Sequence, residues 1–203
     1  MKLSKEVRTR IWRYVLAPSG KLDGKIEISS SAGGLTAKAY TEGLKPRLGP
    51  LLVNKEILAE TRPILYSFHF KFTDTNTLLT FLTLVSEAVR QTLTYIEVHQ
   101  YKRAPAISMF SMLSTCTSIQ RLHIATGIAV NAAPAKAVKA FHAEAQRFLD
   151  AMATIKGSKE AGLDVVKFGR SAKAFSVKED DEVRGWTEEE KAEFHELLKG
   201  KMK

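Results

Sequence analysis

The chain has 203 residues, of which 44% are hydrophobic and 26% are charged, the composition of a globular protein and not of a disordered one. Its one cysteine, Cys116, cannot form a disulfide within the chain, which excludes a disulfide-stapled scaffold. No segment approaches the roughly 18–20 apolar residues of a membrane span, and residues 1–8 are too charged for a signal peptide. We therefore expect a soluble intracellular protein, cytoplasmic or nuclear, with no membrane partner.

The net charge of +9 is unevenly distributed along the chain. Residues 1–62 carry +6 and residues 104–178 carry +6, whereas residues 179–203 carry −4 and include the acidic run 179–182, which we expect to form an exposed loop. A basic body attracts anionic partners, although an ordinary solvated surface with a high isoelectric point gives the same count. Charge alone leaves both interpretations open.

The first third of the chain predicts two helices and a hairpin. Residues 3–16 place Leu3, Val7, Ile11, Tyr14 and Val15 at helical spacing. The segments 25–29 and 35–40 alternate like paired strands around a glycine-containing turn. A second helix is predicted over 51–61. Pro63 interrupts or kinks it because proline has no N–H to donate, and a short helical continuation is expected over 64–66.

The following residues predict alternating strands and helices. The segment 69–72 predicts a strand, and Asp74 is placed to cap the next helix. Three further strands, 93–98, 119–124 and 163–168, are separated by helices over 105–115 and about 135–155, and are expected to be parallel neighbours in one sheet. A capping box of Thr187 and Glu190 begins the last helix, which Gly200 is expected to end.

These elements predict an α/β fold, with α+β as the alternative. We expect one domain over 1–203, in which a helical subregion at 1–74 contains the hairpin and irregular βα units with a small, mostly parallel sheet occupy 75–203. The predicted core includes Ile11, Leu52, Leu65, Phe70 and Leu82.

Three stretches resemble a family of fungal F-box-like domains in their order and spacing. Residues 3–16 contain Leu-Ser-Lys-Glu-Val-Arg followed by Ile-Trp-Arg-Tyr-Val-Leu, residues 51–66 contain Val-Asn-Lys and Glu-Thr-Arg-Pro-Ile-Leu-Tyr, and residues 68–72 match an aromatic strand. The resemblance covers about residues 3–100. Ser4 replaces the usual proline, the tryptophan often found late in the F-box is missing, and the hairpin separates the first two helices more widely than in an ordinary F-box.

The resemblance implies an F-box-derived helical module that continues into leucine-rich-repeat-like βα units. Such modules bind a Skp-type adaptor of cullin–RING ubiquitin ligases, and the C-terminal part recruits a substrate. Transferred to this sequence, the implied adaptor-binding residues are Leu3, Val7, Ile11, Leu52 and Val53.

No combination of residues indicates catalysis. The five histidines are scattered, without metal-ligand spacing, and those at 69, 99 and 123 are interpreted as structural. Cys116 is interpreted as a buried thiol, and no nucleophile elbow, phosphate loop or dinucleotide motif is found. We therefore expect a non-enzymatic protein–protein interaction module without a cofactor or metal.

The alternative function is binding of nucleic acid or another polyanion. The candidate contact residues are basic side chains from the first third of the chain: Arg8, Arg10, Arg13, Lys45, Arg47, Lys55 and Arg62. Trp12 or Tyr14 could stack on bases, although both are explained more simply as core or half-buried residues of an amphipathic helix.

Overall fold

A computed structural model describes residues 3–17, 25–37, 54–169, 173–179 and 182–202. The helices are α1 Lys5–Leu16, α2 Lys55–Tyr66, α3 Thr75–Leu84, α4 Glu87–Arg90, α5 Ala106–Leu113, α6 Pro134–Lys156, α7 Lys159–Asp164 and α8 Glu188–Lys201. The strands are β1 Lys25–Ser31, β2 Gly34–Ala37, β3 His69–Asp74, β4 Tyr95–Gln100, β5 Arg121–Thr126, β6 Val166–Phe168, β7 Ser176–Glu179 and β8 Glu182–Gly185.

Six of these strands form one sheet in the order β2-β1-β3-β4-β5-β6. Five of the six strands, β1, β3, β4, β5 and β6, are parallel, and β2 pairs antiparallel with β1 at one edge. Strands β7 and β8 form a separate antiparallel pair. The α/β prediction is confirmed. The three later strands are parallel neighbours joined through helices, as the sequence predicts.

The central strands repeat with a constant period. Phe70, Ile96 and Leu122 lie side by side in β3, β4 and β5, and each is 26 residues after the one before. The next unit is longer because it contains both α6 and α7. Since every parallel strand lies beside the preceding one, right-handed crossovers place the connecting helices on the same face of the sheet.

The face that carries the helices forms the core. Alternate strand residues such as Phe72, Val98 and Ile124 are completely buried there. Phe72 contacts Phe81 of α3 with ring centroids 5.2 Å apart, and the ring of Phe110 in α5 lies 5.7–6.3 Å from those of Tyr101, Phe141 and Phe148. One cluster of buried residues extends from Leu16 to Met202.

Helix ends follow the predicted local chemistry with one exception. The Asp74 carboxylate accepts a 2.8 Å hydrogen bond from the Thr77 N–H, and the capping box of Thr187 and Glu190 is present. Pro63 lies inside α2, which continues to Tyr66 as predicted. Gly200, however, lies one residue inside the end of α8 and does not end it.

Two predicted segments have a different structure. Residues 159–164 form α7 because the Ser158 hydroxyl caps this helix at the Ala161 N–H, so the strand expected at 163–168 is reduced to β6. Of the acidic run 179–182, Glu179 ends β7 and Glu182 begins β8, whereas Asp180 and Asp181 lie outside the described residues. In the first hairpin, β2 ends at Ala37, and the predicted continuation over 38–40 lies outside the described residues.

The predicted core is partly wrong. Phe70 and Leu82 are buried and Leu65 is half-buried, but 43% of Ile11 is exposed. The side of α1 that packs against the protein contains Trp12 and Leu16, and Ile11 lies on another side of the helix. Leu52 lies outside the described residues.

Candidate functional site

The first candidate surface is an exposed apolar row made by three residues of α1 and by Leu3, which precedes the Ser4 cap of that helix. It consists of Leu3, Val7, Ile11 and Tyr14, which we call the α1 stripe, and these residues are 53%, 45%, 43% and 58% exposed. Residues at this spacing share one side of a helix. A contiguous exposed apolar patch is typical of an interaction surface.

An ion pair holds α1 against α2. The Arg8 guanidinium donates to both carboxylate oxygens of Glu60, with the shortest contact, from Nη2, at 2.6 Å. Its Nη1 donates to the Leu3 carbonyl, also at 2.6 Å. The hydrogen bonds from Arg8 lower the pKa of the Glu60 carboxyl below its ordinary value. This pairing fixes one side of α1 on α2 and leaves the α1 stripe exposed.

The structure brings together three of the five residues that the F-box resemblance implies for the adaptor. Leu3, Val7 and Ile11 lie in the α1 stripe, whereas Leu52 and Val53 lie outside the described residues. The side that the sequence assigned to the core is therefore an outer surface.

The residues predicted for polyanion binding are divided among several environments. Arg8 is engaged by Glu60, whereas Arg10 and Arg13 are exposed and line one shallow depression with Lys5 and Glu6. Lys55 and Arg62 are exposed on α2. Lys45 and Arg47 lie outside the described residues. Of the two aromatic candidates, Trp12 is half-buried against the core and Tyr14 is exposed.

The second candidate surface is the face of the sheet opposite the core, which we call the polar face. Its side chains alternate with the buried ones along β1, β3, β4, β5 and β6, and they are Lys25, Glu27, His69, Lys71, Tyr95, Glu97, Arg121, His123 and Lys167. Parallel sheets are ordinarily covered by helices on both faces and carry apolar residues on both. Here the buried apolar side chains of the parallel strands lie on the core face, and the charged ones lie on the polar face.

Glu97 is the centre of the polar face. Its carboxylate accepts a 2.7 Å hydrogen bond from Lys25 Nζ, and His69 Nε2 lies 3.3 Å from the same oxygen without the alignment of a hydrogen bond. Nδ1 of His123 lies 3.9 Å from it. Despite burial, which opposes ionisation, the contact with His69 and the hydrogen bond from Lys25 lower the pKa of Glu97 to about 2. Glu97 is therefore an anion at neutral pH.

A cleft of about 830 Å³ extends from this cluster to α8. One wall consists of polar-face residues, including Arg121, His123 and Lys167, and the other of Lys191, His195 and Lys199 on α8. The α8 residues are four positions apart, so they share one side of the helix. We call this space the basic cleft.

Burial in the basic cleft disfavours additional positive charge on its histidines. Burial lowers the pKa of His123, although Glu97 opposes that shift. Partial burial also lowers the pKa of His195, and the neighbouring Lys199 and Lys167 add to the effect. Both imidazoles consequently favour the neutral form more than a histidine in water does.

The remaining candidates for reactive chemistry have structural surroundings. Cys116 is completely buried, as predicted, and burial raises the pKa of its thiol to about 12. Within the described ranges, no group of three or more His, Cys, Asp or Glu residues is arranged to hold a metal ion. In the same part of the chain, no helix is long and apolar enough to cross a membrane.

Sequence reasoning treated the polar-face residues one at a time and did not combine them. The 26-residue period places His69, Tyr95 and Arg121 in register, as it does Lys71, Glu97 and His123. An observer who aligned the strands on this period would find the polar face in the sequence. The α8 residues that line the basic cleft have no such signal in the sequence, because their place there depends on where the last helix packs in the fold.

Comparison with known proteins identifies no relative. No protein-family model, no curated protein and no solved structure matches this chain.

Proposed function

We propose that this chain is a non-enzymatic protein–protein interaction module that docks a Skp-type adaptor of a cullin–RING ubiquitin ligase through the α1 stripe. The observation that carries the proposal is the exposure of Leu3, Val7, Ile11 and Tyr14 on one side of α1. Exposed apolar side chains of this size gain free energy when a partner removes them from water, at about 25 cal/mol per Å² of buried apolar surface.

Two further observations support docking on α1. The ion pair between Arg8 and Glu60 fixes the helix, so little ordering of its backbone is needed when a partner binds. The partner chemistry comes from the resemblance of residues 3–16 and 51–66 to the F-box-like blocks. An intracellular location follows from the same proposal.

The test is calorimetric titration of the full chain with a purified Skp-type adaptor. We expect binding that changes little with salt, because the contact is apolar. The double substitution Val7→Ser/Ile11→Ser should abolish it, because it makes the centre of the α1 stripe polar.

The matched control is Ile107→Ser, which changes an apolar residue that is 61% exposed on α5, away from α1. This variant should bind the adaptor as the unmodified chain does. Absence of adaptor binding by the unmodified chain, or equal loss of binding in both variants, contradicts the proposal.

A further inference from the structure

We propose that the basic cleft binds a short acidic peptide segment of a second protein partner, in an extended conformation between the polar face and α8. This inference rests on the proposed function only in taking the chain to be a protein-binding module. The α1 stripe contributes no residue to the cleft.

The charges around the cleft favour an anion. Its walls contain five lysine or arginine residues, namely Lys25, Arg121, Lys167, Lys191 and Lys199, and three carboxylates, namely Glu97, Asp164 and Glu188. Two histidines of the lining, His123 and His195, can add positive charge when they take up protons.

The cations differ in how firmly they are engaged. Lys25 is bound to Glu97, which is only 11% exposed. Lys167 pairs with a carboxylate that is 81% exposed, and such a surface pair contributes little free energy. Arg121 forms no ion pair with any described residue. An incoming carboxylate can therefore engage the side chains at the β5–β6 end of the cleft without breaking a buried pair.

The dimensions of the cleft suit a peptide better than a small ion. Lys191 and Lys199 are eight residues apart on α8, which corresponds to about 12 Å along the helix axis. An extended peptide covers that distance in about four residues, at about 3.3 Å each. Apolar side chains between the two charged walls, including Leu163 and Val166, can receive the stem of an acidic side chain.

The same walls are less suited to nucleic acid. A sugar–phosphate backbone would meet the carboxylates of Glu97, Asp164 and Glu188. The two phenylalanines of the lining, Phe168 and Phe175, are packed against Phe194 with ring centroids 5.4 and 5.3 Å apart. They therefore provide no free ring on which a base could stack.

Binding of an acidic peptide is coupled to proton uptake. The cations that disfavour a charged His195 are neutralised when a carboxylate binds beside them, so its pKa rises in the complex, and the same holds for His123 beside Arg121. Affinity should therefore increase several-fold between pH 7.5 and pH 6.0. His123→Gln/His195→Gln should remove that increase.

The experiment measures binding of fluorescently labelled hexaglutamate to the full chain at fixed salt concentration. Arg121→Gln/Lys167→Gln should weaken binding about tenfold, which corresponds to about 1.4 kcal/mol. A second cleft variant, Lys191→Gln/Lys199→Gln, should also weaken it. The matched control Lys136→Gln/Lys139→Gln removes two exposed charges from α6 outside the cleft and should leave binding unchanged. Thermal melting verifies that each variant is folded.

Three outcomes overturn the inference. They are no binding of hexaglutamate, equal weakening by the cleft and control variants, and tighter binding of a seven-nucleotide single-stranded DNA, which carries six phosphates, than of hexaglutamate. The Val7→Ser/Ile11→Ser variant should bind hexaglutamate normally. Failure at the cleft is thereby distinguished from failure of adaptor docking on α1.

Discussion

The two amphipathic helices α1 and α6 have similar sequence patterns and opposite environments. In α6 the apolar stripe is buried, with Phe141, Phe148 and Met152 at most 2% exposed. In α1 the α1 stripe is exposed, and Leu16 is the only residue of this helix that is buried. Periodicity therefore shows that a helix has an apolar side, but it does not show whether this chain or another one covers that side.

The sharpest test of this comparison is truncation of one apolar residue in each helix. Phe148→Ala removes a ring that is completely buried and lies 5.8 Å from the Phe110 ring, so it should lower the free energy of unfolding by about 3–5 kcal/mol. Ile11→Ala should change it by less than about 0.5 kcal/mol because Ile11 is largely exposed. Urea titrations measure both values, and a loss above 2 kcal/mol for Ile11→Ala would show that α1 belongs to the core.

Backbone packing at the two ends of the α6 unit provides the next largest effect. Gly127, before α6, has φ +84°, and a Cβ there would lie 2.7 Å from the Tyr101 carbonyl oxygen. Gly127→Ala should therefore destabilise the protein by about 2–4 kcal/mol, through left-handed strain and overpacking together.

Gly157, after α6, is the matched control. It has φ +82° and nothing within 4 Å of the added Cβ, so Gly157→Ala should cost only about 1 kcal/mol for the left-handed conformation. Equal losses for the two alanine variants in thermal melts would show that the loop at Gly127 moves away from Tyr101.

The two faces of the sheet also differ, since one is covered by the core helices and the other is polar. The charge of Glu97 tests how much the polar face contributes to stability. Because the pKa of Glu97 is lowered from 4.5 to about 2 on folding, its charge stabilises the protein above about pH 5, and this contribution is lost as the pH falls towards 2. Glu97→Gln should therefore lower the free energy of unfolding by about 2 kcal/mol at pH 7 and have little effect near pH 2. Denaturant titrations at several pH values measure the difference.

Asp164→Asn is the control for Glu97. It removes a carboxylate that is 81% exposed and 3.3 Å from Lys167, so its effect should stay below about 0.5 kcal/mol at every pH. A Glu97→Gln difference that does not depend on pH would mean that the substitution acts through packing and not through charge.

Strand positions were largely predictable, and the covering of surfaces was not. Alternation located β3, β4 and β5 because one face of each strand is completely buried. The segment 163–168 is predicted as a strand, but the Ser158 cap starts α7, which takes Leu163 and Asp164 out of that strand. In α1 the sequence predicts a single apolar stripe that includes Ile11 as a core residue, but the side that packs against the protein contains Trp12 and Leu16.

The candidate site was predictable to a similar extent. Leu3, Val7 and Ile11 were named for docking from the resemblance, and the structure places them together on the surface. The basic cleft was not predicted, since it requires β5, β6 and α8 to meet. Arg121 and Lys191 are 70 positions apart, and a single sequence does not show that both line the same cleft.

The smallest effect concerns the attachment of α1 itself. The two side chains of the pair between Arg8 and Glu60 are 37% and 30% exposed, so a double-mutant cycle with Arg8→Ala and Glu60→Ala should give only a small coupling energy, which decreases as salt is added. Arg10→Ala is the control, because Arg10 is exposed on α1 and its coupling to Glu60 should be near zero.

The functional consequence of this pair should exceed its effect on stability. If the pair holds α1 in the orientation that presents the α1 stripe, Arg8→Ala should weaken adaptor binding while leaving hexaglutamate binding at the basic cleft unchanged. Arg10→Ala should leave both unchanged. Equal adaptor affinity for the Arg8→Ala variant and the unmodified chain would mean that the packing of Trp12 and Leu16 orients α1 without the ion pair.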